Sequence, residues 1–236
     1  ATAFSAQASL IAYYEFNGNT LDSSGNNNNG VNFGASFNSS SISFDGAGNY
    51  VSLPSSLSSG LSVFSIVLNV KSTQSVSASP YWQSPTLLGM ATNGASSRDL
   101  QIISNNGFAG FYSGINSGSD YSFISATKID DAAWHNLGLT SDGSLLKFYV
   151  DGVLANSTSV NQALTSTPFY LGANNASFNS PSASYFSAAS INGLRFYNNA
   201  LTANEIQQLA GTAVPEPSLT LLLCGGLVSM LRRRRK

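Results

Sequence analysis

The stretch WHNLGLTSDGSLLKFYVDGVLANS, residues 134–157, decides the fold class because it is read most simply as three short strands joined by two tight turns. Asp142-Gly143 and Asp151-Gly152 each offer the positive φ angles that a two-residue hairpin turn requires. Between these turns the apolar residues recur at every second position: Leu146, Phe148 and Val150. This pattern predicts an antiparallel meander, and we expect the rest of the chain to add strands around it.

The chain outside this meander is dominated by short apolar runs that end at glycine-containing turns. Candidate strands lie at residues 10–16, 41–53 (two strands), 61–70, 86–90, 100–103, 107–112, 121–125, 169–172 and 190–197. Many short strands of this kind favour a sandwich or jelly roll. A helix is predicted over residues 201–210, where Thr202 and Glu205 form a capping box and Ile206 and Leu209 share one face.

Composition and charge narrow the class of protein. The 236 residues suit one all-β domain, and 42% of them are hydrophobic while only 9% are charged. Five of the ten basic residues stand at the extreme C-terminus, so the remaining chain has five basic against eleven acidic residues, a net charge of −6. An acidic body argues against a nucleic-acid partner. The single cysteine, Cys224, excludes an intrachain disulfide and a cysteine-based zinc site.

Three segments together carry a family resemblance. They are W-H…D-G…Y-V-D-G within residues 134–157, YYEFNGNTLDSSGNNNNG at residues 13–30 and INGLRFYNNALTANEIQQL at residues 191–209. In this order they resemble a laminin-G-like, concanavalin A-like domain. The resemblance implies an all-β concanavalin A-like jelly-roll sandwich of two antiparallel sheets over residues 9–212. One short C-terminal helix would close it, followed by a short apolar C-terminal helix.

The resemblance also raises the question of a calcium site. Asp22, with the neighbouring Asn-rich run at residues 26–29, could supply a carboxylate and neutral oxygens to Ca²⁺. The alternative is a turn rich in Asx hydrogen bonds with no ion. The family often has an Asp before the apolar run of the last strand, and this chain has Asn192. A site shared by Asp22 and Asn192 would keep the oxygen there but lose its charge.

Loop aromatics are the candidate ligand-binding residues. Tyr81 and Trp82 lie between two prolines in a Ser-rich stretch, and Tyr185 lies in another loop rich in Ser and Asn. Exposed aromatic faces on loops would form a platform for sugar rings, whose C–H groups stack on flat apolar surfaces. The alternative is that Tyr81 and Trp82 cover an open edge of the core.

No motif supports catalysis. The E-x-D-x-x-E arrangement of jelly-roll glucanases is missing, and the adjacent Asp130 and Asp131 would point to opposite faces of a strand. The only histidine, His135, belongs to the W-H signature that resembles the family, and we assign it a structural role. The sequence therefore predicts a protein that is not an enzyme.

The ends of the chain carry targeting patterns. Residues 1–8 are read as the remnant of a signal peptide or as a disordered terminus. Residues 213–236 contain Pro215-Glu216-Pro217, an apolar run and a basic end: Arg232, Arg233, Arg234, Arg235 and Lys236. This tail resembles a PEP-CTERM sorting signal, and an ordinary tail anchor is the alternative. The resemblance implies processing by an exosortase-type peptidase, transient contact with the inner membrane and delivery to the surface of a Gram-negative bacterium.

Together these observations predict a secreted or surface-displayed carbohydrate-binding, lectin-like module associated with exopolysaccharide. Its expected partners are a glycan and the processing peptidase, with Ca²⁺ as the only candidate cofactor. The alternative is a structural or adhesive matrix protein without a dedicated pocket, and a glycoside hydrolase or lyase is a third reading. Saturable binding to one glycan would distinguish the first from the second.

Overall fold

The computed structural model describes residues 9–91, 98–114, 120–160, 162–175 and 183–211. The predicted N-terminal remnant at residues 1–8 and the C-terminal tail, with its apolar helix, lie outside this part of the chain. The strands are β1 Leu10–Tyr14, β2 Val31–Phe33, β3 Ser36–Phe37, β4 Ile42–Asp45, β5 Tyr50–Ser52, β6 Val63–Ser72, β7 Thr86–Met90, β8 Leu100–Asn105, β9 Phe108–Ser113, β10 Tyr121–Lys128, β11 His135–Asp142, β12 Leu146–Val150, β13 Val153–Thr158, β14 Tyr170–Leu171 and β15 Ala188–Tyr197. The helix is α1 Ala203–Gly211.

These strands form two antiparallel sheets. The eight-stranded sheet has the order β13-β12-β11-β6-β15-β4-β3, with β1 also paired to β15. The seven-stranded sheet has the order β10-β9-β8-β7-β14-β5-β2. The connections repeatedly cross from one sheet to the other, as in a jelly roll. The predicted all-β sandwich with a short helix near its C-terminal end is therefore confirmed.

The core lies between the sheets and follows the period-two pattern of the strands. In β11 and β12 the fully buried members include Leu137, Leu139 and Phe148. Phe148 meets Phe111 of the other sheet with ring centroids 5.5 Å apart. Each buried aromatic of this size contributes roughly 1.5–3 kcal/mol by leaving water. The core is thus built by the alternation that the sequence shows.

The two Asp-Gly turns differ in the structure. Asp151 and Gly152 both have positive φ, and Val150 pairs directly with Val153, so this two-residue turn is confirmed. The two-residue turn predicted at Asp142-Gly143 is wrong, because only Gly143 has positive φ and β12 begins at Leu146. Asp142 N donates to Leu145 O at 3.2 Å, so the turn lies one residue later, at Gly143-Ser144, and the Asp142 carboxylate supports it by accepting hydrogen bonds from the N–H groups of residues 144 and 145.

Helix α1 packs on the outer face of the eight-stranded sheet. Its capping box is confirmed: Thr202 N donates to Glu205 Oε2 at 2.7 Å, and Glu205 N donates to Thr202 Oγ1 at 3.3 Å. Ile206 is fully buried against Val67 and Tyr149 of the sheet. The helix begins two residues later than predicted because Thr202 is its N-cap, which makes Ala203 the first helical residue. Among the described residues no helix has the length and apolar character needed to cross a membrane.

Candidate functional site

A cavity of about 380 Å³ opens on the outer face of the seven-stranded sheet. Its lining residues come from the loop before β7, from β9 and from the start of β10: Ser79, Pro80, Tyr81, Trp82, Tyr112, Asp120 and Ser122. Tyr112 and Ser122 are opposite each other in the β9–β10 pair. Their neighbours Phe111 and Phe123 pack into the core, so Tyr112 and Ser122 face outwards.

The loop that carries Tyr81 and Trp82 is fixed to the sheet. Residues 81–83 form a single 3-10 turn, in which Ser84 N donates to Tyr81 O at 3.0 Å. The buried side chain of Asn105, at the end of β8, donates its amide to Ala78 O at 2.7 Å and to Ser84 Oγ at 2.8 Å. These bonds hold both ends of the turn, so the cavity wall is preorganised.

The structure brings two of the three predicted aromatic residues together. Trp82 and Tyr185 meet edge to face, with ring centroids 5.7 Å apart and an interplanar angle of 80°. Tyr185 is held in place by its backbone oxygen, which accepts a hydrogen bond from Thr86 N at 2.8 Å. Tyr81 is 42% exposed at the rim of the cavity. Neither Tyr81 nor Trp82 packs into the core between the sheets.

Tyr112 and Asp120 are site residues that the sequence did not reveal. Tyr112 is only 7% exposed, and its hydroxyl is hydrogen-bonded to the Asp120 carboxylate. Burial raises the pKa of Tyr112, and the negative charges of Asp120 and Asp99 raise it further. The phenol therefore stays protonated and donates to Asp120, which is exposed at the cavity. Strand alternation could have placed Tyr112 outwards, but no local pattern connects it to residues 81 and 82.

A second group of aromatic rings lies further along the same sheet face. Phe33 and Tyr50 stack with centroids 4.7 Å apart, and Tyr50 and Tyr170 stack at 4.5 Å. The interplanar angles of 12° and 18° show that these rings stack face to face. Such cross-strand pairs stabilise a sheet. This ladder therefore supports β2, β5 and β14, while the cavity beside Trp82 is the better place for a ligand.

The Asp22 loop is organised by hydrogen bonds. Asp22 Oδ1 accepts from the N–H groups of Tyr13 and Ser24, both at 2.9 Å. Asp22 Oδ2 accepts from Ser24 Oγ at 2.9 Å and from Asn28 N at 3.0 Å. Burial opposes ionisation, but these four bonds outweigh it and hold the pKa of Asp22 below its ordinary value. Donors surround both carboxylate oxygens, which is the arrangement of an Asx turn.

Asn192 is the second predicted calcium ligand. It sits in β15 opposite Asn69 of β6, whereas Asp22 bonds to Tyr13 of β1, which is paired with Arg195. Among the described residues there is no cluster of three His, Cys, Asp or Glu side chains that could hold a metal ion. A calcium site built from one carboxylate and neutral oxygens would not form such a cluster, so the calcium site predicted at Asp22 and Asn192 stays a prediction.

His135 is engaged through both ring nitrogens. Nδ1 lies 2.8 Å from Asp151 Oδ2, and Nε2 lies 3.1 Å from Asp131 Oδ1. Burial lowers the pKa of His135, but the two carboxylates outweigh it and raise the pKa above its ordinary value. With both nitrogens occupied, the imidazole has none left to take a proton from a nucleophile. Its geometry is that of a clamp joining β11 to the turn after β12.

Comparisons with known proteins show which family and which solved structures this chain resembles. Residues 45–207 match the Laminin_G_3 family, described as the concanavalin A-like lectin/glucanases superfamily. No curated protein matches the chain. Among solved structures, domain 4 of AbnA, a GH43 extracellular arabinanase from Geobacillus stearothermophilus in complex with arabinotriose, has a TM-score of 0.69 at 23% identity, covering 86% of this chain and 98% of that domain.

Two toxin structures are also similar. Botulinum neurotoxin type C, reported to interact with two ganglioside molecules, has a TM-score of 0.66 at 17% identity and 88% coverage of this chain. The binding domain of Paraclostridial Mosquitocidal Protein 1 has a TM-score of 0.65 at 16% identity and 86% coverage. The match spans 52% of each toxin chain, and identities this low show the fold alone. The family match covers more than half of the sequence, so the chain belongs to the Laminin_G_3 family of concanavalin A-like lectin and glucanase domains.

Proposed function

We propose that the chain is a non-catalytic, lectin-like module that binds a glycan in the cavity formed by Tyr81, Trp82, Tyr112 and Asp120. The observation that carries this proposal is the pairing of two aromatic side chains on a pinned loop with a carboxylate held by a buried tyrosine. A sugar ring has apolar C–H faces and a rim of hydroxyl groups, and the cavity offers a partner for each.

The size and charge of the cavity indicate what kind of glycan it takes. A volume of about 380 Å³ falls within the range of small-molecule sites and accommodates a short stretch of sugar chain. Among the residues that the structure describes, the lining includes one carboxylate, Asp120, and no Lys or Arg. A uronic acid or sulfated sugar would meet that negative charge without a compensating cation. We therefore expect neutral glycans to bind in preference to acidic ones.

Binding rather than turnover follows from the number of carboxylates. Glycoside hydrolysis by the usual route requires two acidic side chains facing each other across the bond that is cut. Asp120 is the only acidic residue in the described part of the cavity lining, and Asp99 acts on Tyr112 through its charge without lining the cavity. Incubation with a bound polysaccharide should release no new reducing ends. Release of reducing ends that is abolished by Asp120→Asn would show instead that the module is a hydrolase.

The comparisons support the class of ligand. An arabinanase domain of this fold is known in complex with arabinotriose, and a botulinum neurotoxin of this fold interacts with gangliosides. Both ligands carry sugars, although neither sequence is more than 23% identical to this chain. They make a glycan a sound first choice for the partner and do not select a particular sugar.

The binding test compares two aromatic substitutions on the same sheet face. The full-length protein is run through gels containing purified neutral or acidic polysaccharides, and binding is then quantified by calorimetry. Trp82→Ala should lower the affinity roughly 30-fold, because a buried aromatic contact is worth about 2 kcal/mol. Phe33→Ala is the control, since Phe33 is 46% exposed but lies in the stacked ladder outside the cavity.

The two substitutions also separate the alternatives. Equal losses for Trp82→Ala and Phe33→Ala would move the site to the ladder. No binding of the unaltered protein to any polysaccharide would favour the structural matrix protein. Loss of binding in EDTA would support the predicted role for Ca²⁺.

We also propose that residues 213–236 act as a PEP-CTERM sorting signal, so that the module is secreted or displayed on the surface of a Gram-negative cell and works on exopolysaccharide. This rests on the Pro215-Glu216-Pro217 tripeptide, the apolar run and the basic end, in that order. In a host that carries an exosortase-type peptidase, replacing all three tripeptide residues by Ala should leave the protein in the inner membrane. Ser218→Ala is the matched control, and equal release of both variants would refute the assignment.

A further inference from the structure

A second cavity lies on the opposite side of the sandwich, on the outer face of the eight-stranded sheet. It has a volume of about 270 Å³ and lies between the start of β11 and the C-terminal end of α1. Its lining residues are Trp134, Asn136, Asp151, Gln207, Ala210 and Gly211. Asn136 is opposite Asn69 in β6, and their neighbours Leu137 and Val70 point into the core. The cavity is therefore remote from the one that contains Trp82.

Asn136 provides an independent sign of a missing partner. Its side chain is 3% exposed, and Nδ2 donates to Asn69 Oδ1 at 2.8 Å. Its Oδ1 has no hydrogen-bond partner among the described residues. A buried acceptor left in this state is costly, and an amide oxygen cannot escape the cost by rotating a hydrogen. Less than 1 Å² of this oxygen is exposed, so a ligand donor in the cavity satisfies it only after a small shift of the Asn136 amide.

The other lining groups are also held in fixed positions. Asp151 Oδ2 is bonded to His135 Nδ1 at 2.8 Å, and Asp151 Oδ1 accepts from Asn136 N at 2.8 Å. Lys71 Nζ lies 5.7 Å from the centroid of the Trp134 ring, a cation–π contact that restrains the indole. Each Asp151 oxygen keeps a free lone pair. The cavity thus combines one aromatic ring with several fixed acceptors.

From this arrangement we infer that the cavity is a second binding site, for a single neutral sugar ring. The ring stacks on Trp134, and its hydroxyl groups donate to Asn136 Oδ1 and Asp151, with Gln207 as a third partner. Several hydroxyl donors on one small ring suit an acceptor-rich wall, whereas an anion would meet the Asp151 carboxylate, whose charge the Lys71 ammonium beside Trp134 offsets only in part. Two sites on opposite faces allow one molecule to hold two glycan chains. The inference does not depend on the first cavity.

The chain contains two tryptophans, one at each cavity, so their indole N–H signals report on the sites separately. The ¹⁵N-labelled full-length protein is titrated with the methyl pyranosides of glucose, galactose and mannose, and the signals are assigned with Trp82→Phe and Trp134→Phe. We expect the Trp134 signal to move saturably with at least one sugar, also in the Trp82→Ala background. Loss of one hydrogen bond in Gln207→Ala should weaken this binding roughly 2- to 10-fold.

Gln208→Ala is the matched control, because Gln208 is equally exposed on α1 but does not line the cavity. A Trp134 signal that none of the three sugars moves would overturn the second site, even if the Trp82 signal responds to a polysaccharide and the first site stands. Equal weakening by Gln207→Ala and Gln208→Ala would overturn it as well. A Trp134 response without any Trp82 response would support the second site and count against the proposed function.

Discussion

Gly172 packs against the other sheet so closely that it has no room for a side chain. It follows β14 of the seven-stranded sheet and has φ +83°. A Cβ built at this position would lie 2.4 Å from Cδ1 and 2.6 Å from Cγ of Phe44, which is buried in β4 of the other sheet. The Phe44 ring cannot retreat because it is part of the core. We therefore predict that Gly172→Ala strongly destabilises the sandwich.

The size of the effect can be worked out in two parts. An L-residue in the left-handed region costs roughly 1–2 kcal/mol. Forcing a methyl group into a packed core costs typically about 1–3 kcal/mol more. Gly18 separates the two parts, since it has nearly the same φ, +80°, but a Cβ there meets nothing within 4 Å. The expected losses are about 2–5 kcal/mol for Gly172→Ala and about 1–2 kcal/mol for Gly18→Ala.

Urea denaturation of the full-length protein followed by tryptophan fluorescence measures both losses. The double variant Gly172→Ala with Phe44→Leu tests the cause, because a smaller side chain at position 44 should reduce the cost of the added methyl group. Equal destabilisation by Gly172→Ala and Gly18→Ala would refute the steric reasoning. An unchanged cost in the Phe44→Leu background would show that the clash is not with Phe44.

Three further predictions follow from particular contacts. Asp22→Ala should cost about 1–3 kcal/mol of unfolding free energy, because it leaves N–H donors without partners. EDTA should leave the melting temperature of the unaltered protein unchanged. A melting temperature that falls in EDTA, but not in the Asp22→Ala variant, would make Asp22 a calcium ligand. Because folding raises the pKa of His135, its stabilising effect is complete below about pH 6.5 and is lost as the pH rises through the folded-state pKa. Because Asp151 is 45% exposed, that effect is about 1 kcal/mol. The melting temperatures measured at pH 5.5 and pH 8.5 should lie closer together in Asp151→Asn than in the unaltered protein. The same difference between the two melting temperatures in both proteins would exclude the clamp. Thr202→Ala should cost about 1 kcal/mol and speed amide exchange in α1, and unchanged exchange would contradict the role of the Thr202–Glu205 box.

The parts of the fold that depend on neighbouring residues could be predicted from the sequence. The meander, the Asp151-Gly152 turn and the Thr202–Glu205 box are all local, so their residue types determine them. The error at Asp142 is also local in origin. Its carboxylate bonds to residues 144 and 145, and the dipeptide pattern gives no weight to a side chain that caps its own turn. The turn was expected at Asp142-Gly143 and formed one residue later, at Gly143-Ser144.

The candidate site depends on contacts that are distant in sequence. Trp82 and Tyr185 meet at the start of β7, because the first loop leads into β7 and is held by Asn105 at the end of β8, and the second loop is bonded to Thr86. Nothing in either loop indicates that it will reach the other. The aromatic residues could be selected by type, but Asp120 and its buried tyrosine partner become visible only when the sheet is assembled. The same holds for the cavity beside Trp134.

If the proposed cavities bind a glycan, the scarcity of charge determines how they hold it. The chain has 9% charged residues and the described lining residues of both cavities include no Lys or Arg, so attraction to a glycan would come from ring stacking and short-range hydrogen bonds. Such binding changes little with salt, and a single small site of this kind is weak. The two proposed sites on opposite faces, together with the proposed display of many copies on one surface, would raise the effective affinity by as much as about 10²–10⁴ without any new contact. On these proposals we expect isolated copies to bind oligosaccharides weakly even where a surface coated with the protein retains the polysaccharide.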